Sequence, residues 1–294
     1  MIRTVKTKQV DAIITSDWHL REDRPICRTD DFVTEQWKCV DFISDLQKEH
    51  HCPALHAGDL FHHWKPSPAL LSETMIHLPK NFRTVYGNHD VPQHNLELAD
   101  KCGVYTLGTA GFLKVIEDGH WNTIPEKPAL TIGLDFKRTA LVWHIFTYEG
   151  KEPWPGCEAP KGNKLLKKYP DYDLIVTGDN HIPFTAEYEG RLLVNPGALT
   201  RQTAAQIDFE PRVYLWHAED NTVTPVYLPI AEGVISRSHI EQTEKRNDRI
   251  DAFISTLKDN YKVGMSFEDN LKAFEKKNNI KDEIMEIVYK SIDV

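Results

Sequence analysis

The chain has 294 residues, 40% hydrophobic and 27% charged, which is ordinary for a folded domain with a full core and for one large domain or two small ones. A net charge of −9 argues against a globally basic nucleic-acid binder, although a carboxylate-rich site loaded with cations still attracts phosphate locally. No apolar run reaches the roughly 18 residues of a membrane span, and Met1–Val10 carries Arg3, Lys6 and Lys8 without a signal-type apolar core, so a cytoplasmic protein is expected.

In chain order, Ala12–Thr15 is a short β-prone run ending at Asp17. Val33, Trp37, Val40 and Ile43 recur at helical spacing and predict a helix from Asp31 to about Lys48. Ala54–Ala57 predicts a second strand ending at Gly58-Asp59. Ser67-Pro68 reads as a helix start, with Pro at the first helical position. Phe82–Tyr86 predicts a third strand, ending in Gly87-Asn88-His89-Asp90. Strands alternating with helices imply right-handed crossovers and a parallel sheet. Phe112–Ile116, Leu130–Leu134, Ala140–Phe146 and Leu174–Thr177 read as further strands, and Gly150–Gly162 as an irregular surface loop. Two hairpins follow, Phe184–Tyr188 with Leu192–Val194 and Val213–His217 with Val223–Leu228. The fold class is α/β: a mixed β-sandwich flanked by helices.

From Ser236 onward the pattern becomes helical. Ile250, Phe253, Ile254 and Leu257 mark one face, Phe267, Leu271 and Phe274 a second, and Ile284, Ile287 and Val288 a third, with Gly264 between the first two. Basic and acidic side chains nearly balance there, so this is no charged tail. The expected division is a catalytic domain over 1–235 and a helical region over 236–294 that packs on the main domain or docks a partner. Cys27, Cys39, Cys52, Cys102 and Cys157 are widely spaced without a Cys-x-x-Cys pair, which points to reduced, packed thiols.

Five polar clusters end apolar runs: Ser16-Asp17-Trp18-His19, Gly58-Asp59, Gly87-Asn88-His89-Asp90, Trp143-His144 and Gly178-Asp179-Asn180-His181. In open α/β sheets, ligands gather where loops diverge at the carboxyl ends of strands. Asp17, His19, Asp59, Asn88, His144, Asp179 and His181 supply enough donors for two adjacent divalent metals, and two metals suggest phosphoester hydrolysis by an activated water. The mixture of carboxylate, imidazole and amide suits manganese, iron or zinc better than magnesium. Asp59 is the natural bridge. His89, beside Asp90, is a candidate general acid if the carboxylate orients its ring. Trp18 and Trp64 flank the clusters and could stack a base or simply pack.

At these residues the chain resembles the calcineurin-like metallophosphoesterase superfamily, whose motifs run in this order over about two-thirds of the chain. Gly58-Asp59-Leu60-Phe61-His62, the following Lys65-Pro66-Ser67-Pro68, and Asn195-Pro196-Gly197-Ala198 resemble the SbcD-like DNA repair nucleases more closely. The resemblance implies Asp17, His19 and His181 around a first metal, Asn88, His144 and Asp179 around a second, Asp59 bridging, and His62 positioning the phosphate. It also implies DNA as substrate, an SbcC-like ATPase partner and a homodimer. The sequence departs from the pattern with Asp179 where His is usual, Ala198 where Ser is usual, and no recognisable DNA-binding cap. The expected function is a manganese-dependent DNA nuclease. The alternatives are a phosphoesterase acting on small nucleotides or phosphoprotein, and a non-catalytic scaffold.

Overall fold

The computed structural model describes residues 8–126, 130–133, 135–260 and 267–290. Two compact units divide the chain, Met1–Ser236 and Arg237–Val294. The first holds two sheets. One runs in the order β11-β10-β1-β2-β3-β4, built from β1 (Ala12–Thr15), β2 (Ala54–His56), β3 (Phe82–Thr84), β4 (Lys114–Val115), β10 (Arg212–His217) and β11 (Thr222–Tyr227). The other runs β5-β6-β7-β9-β8, from β5 (Leu130–Ile132), β6 (Arg138–Trp143), β7 (Leu174–Thr177), β8 (Phe184–Tyr188) and β9 (Arg191–Asn195).

Pairing is parallel along β1-β2-β3-β4 and along β6-β7-β9, and antiparallel at the hairpins and sheet edges. The parallel pairs put the carboxyl ends of neighbouring strands on the same edge of each sheet.

Period-two alternation explains why the strands are apolar throughout. Ile14, Val142 and Val176 point into the core between the sheets. Their neighbours point outward: Ile13 joins a core shared with α1 (Phe32–His50), and Leu141 and Ile175 join one shared with α4 (Gly162–Lys168). α1 starts at Asp31, whose carboxylate accepts from the Thr34 amide, and ends on His51 in the left-handed conformation. α2 (Pro68–His77) is capped by Ser67, as its Pro68 start predicts.

Several expectations shift. β3 stops at Thr84, β4 has two residues, and β6 ends at Trp143, so His144 is the first residue beyond its strand. α3 (Gly103–Thr109), α4 and the short 3-10 turns at Pro92–His94 and Leu96–Lys101 were not expected. Leu134 lies outside the described residues. The five cysteines are free and buried.

The second unit contains α5 (Ser238–Asn260), α6 (Phe267–Asn278) and α7 (Asp282–Lys290). Phe253 and Phe274 meet edge to face at 4.8 Å, and Leu271 is buried. On α7 the buried residue is Met285, with Val288 and Tyr289 half-buried on the same face, whereas Ile284 and Ile287 are exposed. The expected Ile284–Ile287 stripe is therefore corrected by about one residue of helical rotation. Gly264 and the side chains of Ile254, Leu257 and Phe267 fall outside the described residues. Among those described, no helix is long and apolar enough to cross a membrane.

Candidate metal centre

The five clusters follow β1, β2, β3, β6 and β7, and their loops converge. After β1 and β2 the chain continues in register: Asp17 N–H donates to the Gly58 carbonyl (3.0 Å) and His19 N–H to the Asp59 carbonyl (3.0 Å). The glycines permit this approach. A Cβ on Gly58 would lie 2.5 Å from His144 Nδ1, one on Gly87 would lie 2.1 Å from Asp59 Oδ1, and one on Gly178 would lie 2.4 Å from the Ala57 carbonyl oxygen. Asp17, His19, Asp59 and Asp179 all adopt positive φ, between 45° and 68°. Left-handed non-glycine residues cost about 1–3 kcal/mol each and concentrate at functional sites.

Asp59 lies at the middle of the centre. Its Oδ1 accepts from His89 N–H at 2.9 Å, which turns Oδ2 toward two imidazoles. That oxygen lies 3.6 Å from His19 Nε2 and 3.6 Å from His144 Nε2. On one side, His144 Nδ1 donates to the Ala57 carbonyl (2.7 Å), leaving Nε2 as a lone-pair donor 2.9 Å from Asn88 Oδ1. On the other side, His19 Nε2 lies 3.1 Å from His181 Nε2, and His181 Nε2 lies 3.9 Å from Asp17 Oδ1. Three ligand groups emerge: Asp17–Asp59–His144, Asp17–His19–His181 and His19–His62–His89.

Asp179 belongs to none of these groups. Its amide N–H donates to Asp17 Oδ1 (3.0 Å). Its carboxylate is near enough to raise Asp59 electrostatically, and the residue also lines a neighbouring cleft with His181.

Asp90 corrects the sequence reading. Its buried carboxylate accepts from the amides of Asp59 (2.8 Å), Leu60 (3.3 Å), Phe61 (3.2 Å) and Gly87 (3.0 Å). It therefore clamps the two loops together and does not orient His89. The His89 ring is held instead by the His62 carbonyl, 2.8 Å from Nδ1. A carbonyl only accepts, so Nδ1 carries hydrogen and Nε2 is free to deliver or take a proton.

The electrostatics fit a cation. Burial above all, with the neighbouring Asp59 adding to it, leaves the Asp17 carboxyl pushed up to about 8. Burial raises Asp59 well above the usual carboxylate range, with Asp90 adding to it. Burial lowers His19 far below an ordinary imidazole, helped by His181, and brings His62 down to about 4, helped by Arg21. Neutral imidazoles are ligands, and buried carboxylates call for positive charge. Asp17 Oδ2 and His19 Nδ1 are buried without any hydrogen-bond partner. The lone pair on His144 Nε2 faces an amide oxygen, an approach that a cation would relieve. The residues present therefore fit divalent metals.

Trp18 is fully buried against His56 and Phe82, with Nε1 donating to Thr15, so it belongs to the core and cannot stack a base. Trp64 packs on the same core. Asn195 explains the Asn-Pro-Gly stretch: its Nδ2 donates to the Asn180 carbonyl (2.9 Å) and its Oδ1 accepts from Gly197 (3.2 Å), bracing the His181 loop. Arg21, absent from the sequence reading, lines the central cavity of about 140 Å³ together with His19, His62, His89 and His181. Its position two residues after His19 was the available signal, but arginine near a turn is commonplace.

Residues 11–218 match the calcineurin-like phosphoesterase superfamily domain. The chain belongs to this superfamily. A curated relative of this phosphoesterase, the DNA double-strand break repair protein Mre11 of Haloferax volcanii, is 26% identical over 182 residues. That match spans 54% of this chain and 38% of the relative, so well under half of the relative is represented here. Among solved structures, a novel archaeal phosphodiesterase has a TM-score of 0.41 and 15% identity, covering 74% of this chain and 99% of its own. A metallophosphoesterase from Sphaerobacter thermophilus has a TM-score of 0.38 and 13% identity, covering 76% and 89%.

Proposed function

We propose that this phosphoesterase is a two-metal phosphodiesterase acting on DNA, with manganese as the preferred ion. The observation that carries the two-metal reading is the Asp59 Oδ2 atom, equidistant from His19 Nε2 and His144 Nε2. Asp17, His19 and His181 would hold one ion and Asn88 and His144 the other, with Asp59 shared and Asp179 at the edge of the second. What divalent cations supply at such a site is an activated water and neutralisation of charge on the phosphate. Carboxylate, imidazole and amide oxygen together favour manganese over magnesium.

The chain's own residues do the rest. His62 and Arg21 border the central cavity and orient the phosphate. His89 presents Nε2 to that cavity, braced through Nδ1, and protonates the leaving sugar oxygen. Asp90 keeps Asp59 and His89 in mutual register through its amide contacts. The similarity to a DNA double-strand break repair protein favours DNA over phosphoprotein.

The test is digestion of end-labelled single- and double-stranded DNA with manganese, with Asp59→Ala as control, beside bis-p-nitrophenyl phosphate and cyclic nucleotides. Manganese-dependent DNA cleavage lost in the control is expected. Hydrolysis of the small esters without any DNA cleavage would leave a small-nucleotide phosphodiesterase.

A further inference from the structure

The segment 150–162, read from sequence as a plain surface loop, forms part of a cleft beside the metal centre. Phe146, Trp154, Ile182 and Phe184 line that cleft together with Asp179 and His181, around about 460 Å³. This volume lies in the range of small-ligand sites. His181 also lines the central cavity, so the cleft and the centre are contiguous.

The loop is tied at its base. Gly162 N–H donates to the Tyr148 carbonyl (3.0 Å), and Lys161 Nζ donates to the Gly150 carbonyl (2.8 Å). Cys157 N–H turns back on the Trp154 carbonyl at 3.2 Å. Trp154 is thus carried on a closed loop. Even so it is 51% exposed, and Ile182 is 69% exposed. Large apolar surface left open at one cleft edge marks a binding surface more often than a packing accident. Trp154 meets Phe146 at 5.2 Å between ring centres with planes tilted by 58°, so the two do not cover each other by parallel stacking. No residue of this pair has a part in the phosphate chemistry above.

We propose that Phe146 and Trp154 form a stacking shelf for an unpaired nucleobase of the strand whose phosphate occupies the metal centre, an inference that rests on the nuclease reading. Aromatic faces bind bases without sequence preference, because every base offers a π-face. Lys151 lines the same cleft and suits a flanking phosphate. A base inside a duplex is stacked on both faces, so the shelf selects frayed ends and single strands. Fixing one base on a tied loop also limits the positions that the neighbouring phosphate can take.

Binding separates the shelf from the nuclease activity. Fluorescence anisotropy of the full chain would compare a labelled oligothymidylate with an all-abasic strand of the same length. Wild type should prefer the thymidylate strand by about ten-fold, the scale of one stacked base. Trp154→Ala should shrink the preference to near unity by weakening the thymidylate strand alone, and Trp154→Phe should keep most of it. A preference that survives Trp154→Ala unchanged, or no preference in wild type, overturns the shelf. If wild type shows the preference but cleaves no DNA with manganese, the nuclease reading fails while the shelf stands as a nucleotide-binding site.

Discussion

The two sides of Asp59 are built differently. On the His144 side the ring is fully buried, its Nδ1 is spent on the Ala57 carbonyl, and Asn88 faces its Nε2. On the Asp17 side, Asp17 Oδ2 and His19 Nδ1 have no partner, and the His181 side chain is 40% exposed. One half is braced before any ion arrives; in the other, two buried donor atoms lack partners and His181 reaches the central cavity. Donors whose second atoms are already hydrogen-bonded bind metal with less reorganisation. The His144 side should therefore hold its ion more tightly, and the Asp17 side should exchange ions and meet substrate.

The largest effect should come from removing what the halves share. Asp59→Ala should release both ions and lower turnover by on the order of 10³-fold, the scale of losing a charge-stabilising group. Retention of one ion at full occupancy, read by elemental analysis, would show that the halves are independent. Next comes His89→Ala, which should lower kcat by about 10²–10⁴-fold with metal content unchanged. The loss should be smaller on bis-p-nitrophenyl phosphate, whose leaving group needs no proton. Equal losses on good and poor leaving groups would remove the acid role.

A smaller effect separates the halves directly. His144→Ala should weaken metal retention more than His181→Ala does, by about ten-fold in chelator concentration. Equal retention would erase the contrast. The smallest effect is on stability in the metal-free chain. The Asp17 carboxyl is pushed up to about 8, so the folded state holds a proton that the unfolded chain has released above pH 4. Histidines lowered by burial act oppositely, but only below their ordinary value of about 6.5. Between about 6.5 and 8, thermal stability of the metal-free chain should fall as pH rises, and manganese should stabilise more at pH 8 than at pH 6.5. A flat or rising profile in that window would contradict the buried-carboxylate account.

Much of this centre was legible from sequence, because each candidate ligand follows an apolar run short enough to be only a buried strand. Asp17, His19, Asp59, His144 and His181 fall into the clusters for that reason. Asp90 was misread because an Asp beside a His suggests a dyad, while four backbone amides leave no mark in the sequence. Asp179 is joined to Asp17 through its backbone amide, a contact that the motif does not reveal. α4 escaped notice because Gly162–Lys168 has only Leu165 and Leu166 to mark a face. The α7 stripe was misplaced at Ile284 and Ile287 because both are as apolar as Met285, and only tertiary packing chooses between adjacent faces.

Anomalous diffraction from crystals grown with manganese tests the central claim most directly. Two peaks about 3.5–4 Å apart are expected, one contacting His144 and Asn88, the other His19 and His181, with Asp59 touching both. A single peak, or two that do not share Asp59, would contradict it.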